Sequence, residues 1–109
     1  MHMEEKLMSI KVMIADDHIL MREGIKQLLE FDGSIEVIGQ AGDGNECLEL
    51  LKTVHPDVLL LDINMPNKNG IETLQEIRDK KMNVKVLMLT VHNEVEYLVK
   101  AVDIGVDGY

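Results

Sequence analysis

The sequence lacks most of what a disulfide-bonded or membrane-spanning protein needs. Its 109 residues include one cysteine, no tryptophan and 3% aromatic residues. A single thiol forms no internal disulfide, so we expect a reducing compartment, in which Cys47 is a small core residue. No apolar run approaches membrane-spanning length, and the start "MHMEEKLMS" lacks the features of a signal peptide. These absences predict a cytoplasmic protein without a membrane partner.

Basic residues are also scarce. Eleven Lys and Arg residues stand against twenty Asp and Glu residues, which gives a net charge of -9. Because contact with nucleic acid or an anionic membrane is carried by Lys and Arg, we expect this chain to make no direct nucleic-acid contact. The charge favours cations and basic partner surfaces instead.

What is present predicts one globular domain. Hydrophobic residues make up 46% of the chain and charged residues 28%, which is ordinary for a folded protein of this size. We predict a disordered or tag-derived N-terminus over residues 1–9 and a folded domain over residues 10–109.

Strand-like and helix-like segments alternate along that domain. Apolar runs bounded by turn residues predict strands at 10–15, 35–41, 57–61 and 84–89. Apolar residues at helical spacing predict intervening helices around 21–29, 47–54, 71–77 and 95–102. Three pairs predict helix-capping boxes: Asp43 with Glu46, Asn69 with Glu72, and Asn93 with Glu96. The alternation indicates an α/β domain with a parallel sheet.

Polar residues follow the predicted strands at their carboxyl ends, where such sheets bind ligands. Asp16 and Asp17 follow the first strand, Asp62 the third and Thr90 the fourth. Alone, the Asp16–Asp17 pair would be read as a solvated turn and Thr90 as an ordinary strand-end residue. Together, the carboxylates would repel one another unless a cation lay among them, and Mg²⁺ suits oxygen ligands. Asp62 would then be a nucleophile toward phosphoryl groups.

The histidines near this edge have a plainer interpretation. His18 is predicted to be a polar residue at a helix start, and His92 a loop residue. Neither is predicted to bind metal, because no other His or Cys is spaced to join it.

Four motifs carry a family resemblance along nearly the whole chain. They are "MIADDH" (13–18), "LLLDINMPNKNG" (59–70), "VLMLTVH" (86–92) and "GVDGY" (105–109). In this order and spacing they resemble the receiver domain of two-component response regulators, and the wording is most similar to the NarL/LuxR-type subfamily. The resemblance implies a flavodoxin-like (CheY-like) doubly wound parallel sheet of order 2-1-3-4-5.

The resemblance also implies roles at the site. Asp62 would be the phosphoacceptor, taking its phosphoryl group from a sensor histidine kinase. Mg²⁺ would be bound by Asp17, Asp62 and the backbone carbonyl of Asn64, with Asp16 acting through water. Thr90 would be the switch hydroxyl and Tyr109 the switch aromatic.

Further expectations concern partners and output. The resemblance implies a phosphoacceptor with self-catalysed phosphorylation and dephosphorylation, not an enzyme acting on separate substrates. It also implies a homodimer and control of a DNA-binding output domain that these 109 residues do not include. The family has a lysine, a fifth strand and a fifth helix past "GY", so we expect the sequence to be truncated after Tyr109.

Three other functions can be weighed on the same residues. A dehalogenase-like phosphatase needs a second acid where this chain has Asn64, which argues against that function. A flavin mononucleotide binder needs a Ser/Thr/Gly phosphate loop after the first strand, but this chain has "DDHIL" there, whose acids would repel phosphate. An interaction module with this fold but no phosphorylation remains the open alternative. Whether Asp62 accepts phosphate separates it from a working receiver.

Overall fold

Strands and helices alternate as predicted in the computed structural model, which describes residues 9–89 and 104–108. Four strands form: β1 (Ile10–Ala15), β2 (Ile35–Ala41), β3 (Val58–Asp62) and β4 (Lys85–Leu89). Three helices lie between them: α1 (Ile19–Glu30), α2 (Gly44–Leu51) and α3 (Gly70–Asp79). Each strand begins and ends within one residue of its predicted bounds. No described helix combines the length and apolar character needed to cross a bilayer.

The strands form one parallel sheet in the order β2-β1-β3-β4. This confirms the predicted doubly wound α/β fold for these four strands. Ala15, the last residue of β1, is paired with Ala41 of β2 on one side and Leu61 of β3 on the other. The residues that follow β1 and end β3 therefore meet at one edge of the sheet.

The two faces of the sheet carry cores of different size. Helices α2 and α3 cover the larger core, and α1 covers the smaller one, whose buried residues in the described part of the chain are Val12, Ile14 and Leu60. The larger core includes Met13, Cys47, Leu59, Leu61, Ile63, Leu74, Ile77, Val86 and Met88. Side chains of adjacent residues in a strand point to opposite faces, so the nearly continuous apolar runs of β1 and β3 serve both cores.

Helix α1 is more exposed than its sequence pattern indicated. Ile25 and Leu29 pack against the smaller core, but Met21 is 48% exposed and Leu28 is 80% exposed. None of the residues of α1 is fully buried. The periodicity predicted the helix, but only part of its apolar face contacts the sheet, and the rest is exposed.

The capping predictions hold to different degrees. At α3 the box is complete, because Asn69 Oδ1 accepts from the Glu72 N–H at 2.9 Å and the Asn69 N–H donates back to Glu72 Oε1 at 3.1 Å. At α2, Asp43 Oδ1 accepts from the Glu46 N–H at 2.8 Å, but Glu46 Oε1 accepts from Gly42 instead. The second half of that predicted box is therefore wrong.

The last described residue, Gly108, pairs with the outer edge of β4. Gly108 forms an isolated parallel bridge with Leu87, and its carbonyl accepts from the Met88 N–H at 2.9 Å. In the described ranges the sheet has no fifth strand. The bridge lies on the edge of β4 with which a fifth strand would pair. The predicted helix at 95–102 and the Asn93–Glu96 box lie outside the described residues.

One arginine of α3 fixes that segment against the sheet. The Arg78 guanidinium donates to the carbonyls of Gly105 and Val84 at 2.8 and 2.9 Å and to Asp107 Oδ2 at 2.7 Å. The same Asp107 oxygen accepts from the Val86 N–H at 2.8 Å. This network joins residues far apart in sequence, so spacing alone could not predict it.

The start of α2 is packed against the segment that precedes α3. The Gly44 N–H donates to the Lys68 carbonyl at 3.0 Å. A Cβ atom on Gly44 would lie 2.1 Å from Thr73 Oγ1 and 2.6 Å from the Lys68 carbonyl oxygen. Gly44 therefore permits a backbone contact that no larger residue could make.

We expect Gly44→Ala to lower the free energy of unfolding by about 1–3 kcal/mol, because the new methyl group has no space. The matched variant is Gly24→Ala in α1, where no atom lies within 4 Å of the added Cβ. It should raise stability by about 0.5–1 kcal/mol, since glycine is costly inside a helix. Urea unfolding followed by circular dichroism measures both changes, and equal effects of the two variants would contradict this packing.

Candidate functional site

Three carboxylates and one imidazole meet at the carboxyl edge of the sheet. Asp16, Asp17, His18 and Asp62 each offer an oxygen or nitrogen ligand atom, and these atoms all lie within 4.8 Å of one another. Asp16 is buried at 5% exposure, Asp62 is partly buried and Asp17 is exposed. The three acids that were predicted to converge are therefore together.

Asp16 is held by hydrogen bonds on three sides. Its N–H donates to the Ala41 carbonyl at 3.0 Å, which extends the β1–β2 pairing by one residue. Its carbonyl accepts from Arg22 Nη1 of α1 at 2.7 Å, and its Oδ1 accepts from the His18 N–H at 2.8 Å. The turn after β1 is thus fixed both to the sheet and to the helix that follows.

Asp62 is the acid whose ionisation the site disfavours. Burial, and then the carboxylate of Asp16, raise the pKa of Asp62 above its ordinary value. Hydrogen bonds from the N–H groups of Asn64 and Ile63 act in the opposite direction but are outweighed. A cation that lay among the three acids would stabilise the ionised form of Asp62.

His18 occupies the N-cap of α1, as its interpretation as a helix-start residue predicted, but its ring also joins the cluster. Its Nδ1 lies 3.0 Å from Asp16 Oδ1 and 3.1 Å from Asp17 Oδ1. The hydrogen bond with Asp16, and then the charge of Asp17, raise the pKa of His18. The sequence did not predict that the ring would contact the strand-end acids, and the expectation that His18 does not bind metal stays a prediction.

The loop between β3 and α3 is shaped by close backbone contacts. The Gly70 N–H donates to the Ile63 carbonyl at 2.8 Å, and a Cβ on Gly70 would lie 2.1 Å from the Asp62 carbonyl oxygen. Asn67 has a positive φ of 67°, and its side-chain amide donates to Asp43 Oδ2 at 2.7 Å. The loop that follows Asp62 is therefore attached to the start of α2.

Two other residues of this loop, Asn64 and Pro66, are exposed. Asn64 lies two residues past Asp62, where its carbonyl is the predicted Mg²⁺ ligand, and that role stays a prediction. Pro66 lies in the same loop, and its carbonyl accepts from the Lys68 N–H at 2.6 Å.

The remaining sequence candidates fall in two groups. Thr90, His92 and Tyr109 lie outside the described residues. Cys47 is fully buried, and burial raises the pKa of its thiol to about 12. The thiol is therefore protonated at neutral pH, in keeping with a core residue.

The donor set fits a hard divalent cation. Carboxylate oxygens from the ends of two adjacent strands, with open solvent on the Asp17 side, are the ligands that Mg²⁺ takes while keeping several waters. Asp16, Asp17 and Asp62 could hold such an ion.

We expect Asp62→Asn to be more stable than the wild type at pH 7 without divalent cations. The pKa of Asp62 is higher in the folded than in the unfolded state, so the folded state binds more protons between the two pKa values. The free energy of unfolding of the wild type therefore falls as pH rises through that window. Below about pH 4, where Asp62 is protonated in both states, the two proteins should have similar free energies of unfolding. Urea unfolding at several pH values measures this, with Asp79→Asn, an exposed acid at the end of α3, as control. Parallel pH profiles for the wild type and Asp62→Asn would contradict it.

Comparisons with known proteins agree with this geometry. The response regulator receiver domain family matches residues 12–109. The nitrate/nitrite response regulator protein NarL of Escherichia coli K12 is 40% identical over 98 residues, which cover 90% of this chain and 45% of the relative. The transcriptional regulatory protein DegU of Brevibacillus brevis is 39% identical over 100 residues, covering 92% of this chain and 42% of the relative.

A solved structure shows the same likeness in three dimensions. The signal receiver domain of the response regulator NarL from Mycobacterium tuberculosis aligns with a TM-score of 0.87 and 37% identity, covering 92% of this chain and 81% of that one. The chain spans less than half the length of the two sequence relatives described above. Because the family model matches residues 12–109, which include the strand-end acids, and NarL of Escherichia coli is 40% identical over 90% of this chain, the chain belongs to the response regulator receiver domain family and is NarL-like.

Proposed function

We propose that Asp62 accepts a phosphoryl group from the phosphohistidine of a sensor histidine kinase, with Mg²⁺ as cofactor. The observation that carries this proposal is the position of Asp62 at the end of β3, with the Asp16 and Asp17 ligand atoms within 4.8 Å. Asp17, Asp62 and the Asn64 carbonyl would bind the ion directly, and the buried Asp16 would act through a bound water.

The transfer itself requires little covalent work from the protein. A carboxylate oxygen of Asp62 bonds to phosphorus while the phosphorus–nitrogen bond of the phosphohistidine breaks, and the electron pair stays on the imidazole nitrogen. When bound, Mg²⁺ neutralises charge on the phosphoryl oxygens. The tight Gly70 contact and the attachment of the loop to Asp43 hold the nucleophile in place during transfer.

Phosphorylation would then change a partner surface. An acyl phosphate brings negative charge to the edge of the sheet, by analogy with the roughly -1.5 to -2 units of phosphorylated hydroxyl residues. The Thr90 hydroxyl would move toward the phosphoryl oxygens, and Tyr109 would move with it, altering the surface around the fourth predicted helix, at 95–102. A second receiver would bind there, giving a homodimer.

We infer that the wider protein regulates transcription in the cytoplasm. DegU is named a transcriptional regulatory protein, and the relatives are more than twice as long as their match to this chain. A DNA-binding domain outside these residues would contact DNA, because a chain with net charge -9 is poorly suited to do so. The chain itself would be a phosphoacceptor that catalyses its own phosphorylation and dephosphorylation.

Intact mass after incubation with acetyl phosphate tests the phosphoacceptor directly. With Mg²⁺ the wild type should gain the mass of one phosphoryl group, and Asp62→Ala should gain none, because the nucleophile is absent. Chelation of Mg²⁺ should reduce the gain sharply.

Asp79→Ala is the matched control, since it removes an exposed carboxylate away from the site and should label like the wild type. Labelling that persists in Asp62→Ala would place the phosphoryl group elsewhere. Absence of labelling in the wild type would favour a phosphorylation-independent interaction module.

A further inference from the structure

The loop that follows Asp62 is held in two different ways along its length. Ile63 and Met65 are buried in the larger core, so packing fixes the first part of the loop. Pro66 and Asn67 are exposed, so burial does not hold their side chains. The position of the second part of the loop therefore depends on hydrogen bonds.

A single carboxylate joins Asn67 to the start of α2. Asp43 Oδ2 accepts from the Asn67 side-chain amide at 2.7 Å, while Asp43 Oδ1 accepts from the Glu46 N–H at 2.8 Å. The Glu46 N–H, and then the Asn67 amide, hold the pKa of Asp43 below its ordinary value. Asp43 is therefore ionised at neutral pH, and a charged acceptor makes a stronger hydrogen bond than a neutral one.

The backbone of the loop adds a second attachment beside the first. Asn67 has a φ of 67°, in the left-handed region that Asn adopts more readily than most residues. The next residue, Lys68, accepts from the Gly44 N–H at 3.0 Å through its carbonyl. Two consecutive loop residues are thus joined to two consecutive residues, Asp43 and Gly44, at the start of α2.

This attachment bears on the proposed ion ligand in the same loop. Asn64 lies three residues before Asn67, and its carbonyl is the proposed Mg²⁺ ligand. A backbone ligand has no side-chain rotation with which to adjust, so its direction depends on the path of the loop. We propose that Asp43, through Asn67, is a positioning residue that holds this carbonyl toward the ion and so favours phosphorylation of Asp62. The inference rests on the proposed function, which supplies the ion and the reaction.

Exchanging the two polar side chains separates this role from helix capping. In Asp43→Asn the remaining oxygen can still cap α2, but the new amide faces the Asn67 amide, donor against donor. In Asn67→Asp two carboxylates face each other. The double variant, Asp43→Asn with Asn67→Asp, again pairs a donor with an acceptor and has the net charge of the wild type.

Mg²⁺ titration calorimetry and acetyl phosphate labelling test the proposal. Each single variant should bind Mg²⁺ about three- to tenfold more weakly than the wild type, because a ligand loses its support. The double variant should return to within about twofold of the wild type. A change in net charge alone would move the two single variants in opposite directions. Labelling should be slower in the single variants at low Mg²⁺, and the difference should shrink as Mg²⁺ approaches saturation.

Amide hydrogen exchange in the metal-free protein gives a readout that does not depend on activity. The Gly44 N–H, which donates to the Lys68 carbonyl, should exchange about fivefold faster in each single variant, because the loop separates more often from α2. Its exchange rate should return toward that of the wild type in the double variant.

Asp32→Ala is the matched control. Asp32 Oδ1 accepts from the Ser34 N–H at 2.9 Å and from the Ser34 hydroxyl at 2.6 Å, in the turn before β2 and at the opposite edge of the sheet from the acids. This variant should unfold at lower urea than the wild type while its Mg²⁺ affinity and its labelling rate stay unchanged.

The outcomes separate the inference from the function on which it rests. Single variants with the Mg²⁺ affinity and labelling rate of the wild type would overturn the inference and leave Asp43 only a helix cap. A double variant as impaired as the single variants would also overturn it, since the hydrogen bond would not be the cause. A wild type that neither binds Mg²⁺ nor is labelled would overturn the proposed function and, with it, this role of Asp43.

Discussion

The crowding of negative charge at one edge of the sheet governs the structure around it. Asp16, Asp17 and Asp62 are held closer together than free carboxylates would remain, and the pKa of Asp62 rises because of burial and the charge of Asp16. The fold must therefore supply enough stability elsewhere to keep these groups in place. A divalent cation would turn their repulsion into binding energy.

Adjacent strands impose that crowding. The pairing of Ala15 with Leu61 puts the residues at the ends of β1 and β3 beside each other, whatever their charge. The surrounding backbone adds rigidity through Gly70, which has no room for a Cβ, and through Asp43, which accepts a hydrogen bond from Asn67. The acids thus lie on a scaffold that cannot easily spread them apart, as the proposed binding of a small ion and a phosphoryl group would require.

Sequence reasoning predicted those parts of the molecule that local chemistry determines. Apolar runs bounded by turn residues predicted all four described strands, and the acids after β1 and β3 followed from where strands end. The same reasoning could not predict the exposure of Leu28, since periodicity defines a helix face but not what covers it. It also missed the contact of the His18 ring with Asp17 and the pairing of Arg78 with Asp107, which depend on side-chain direction and tertiary approach.

The most direct test of the account is the dependence of stability on Mg²⁺. An ion that binds only the folded carboxylates raises the free energy of unfolding in proportion to the logarithm of its concentration once the site begins to saturate. Urea unfolding of metal-free protein should therefore shift to higher urea as Mg²⁺ is added, at constant ionic strength, and the shift should vanish in Asp17→Asn. An equal shift with sodium chloride alone, or in Asp17→Asn, would contradict the claim that this carboxylate edge is a cation site.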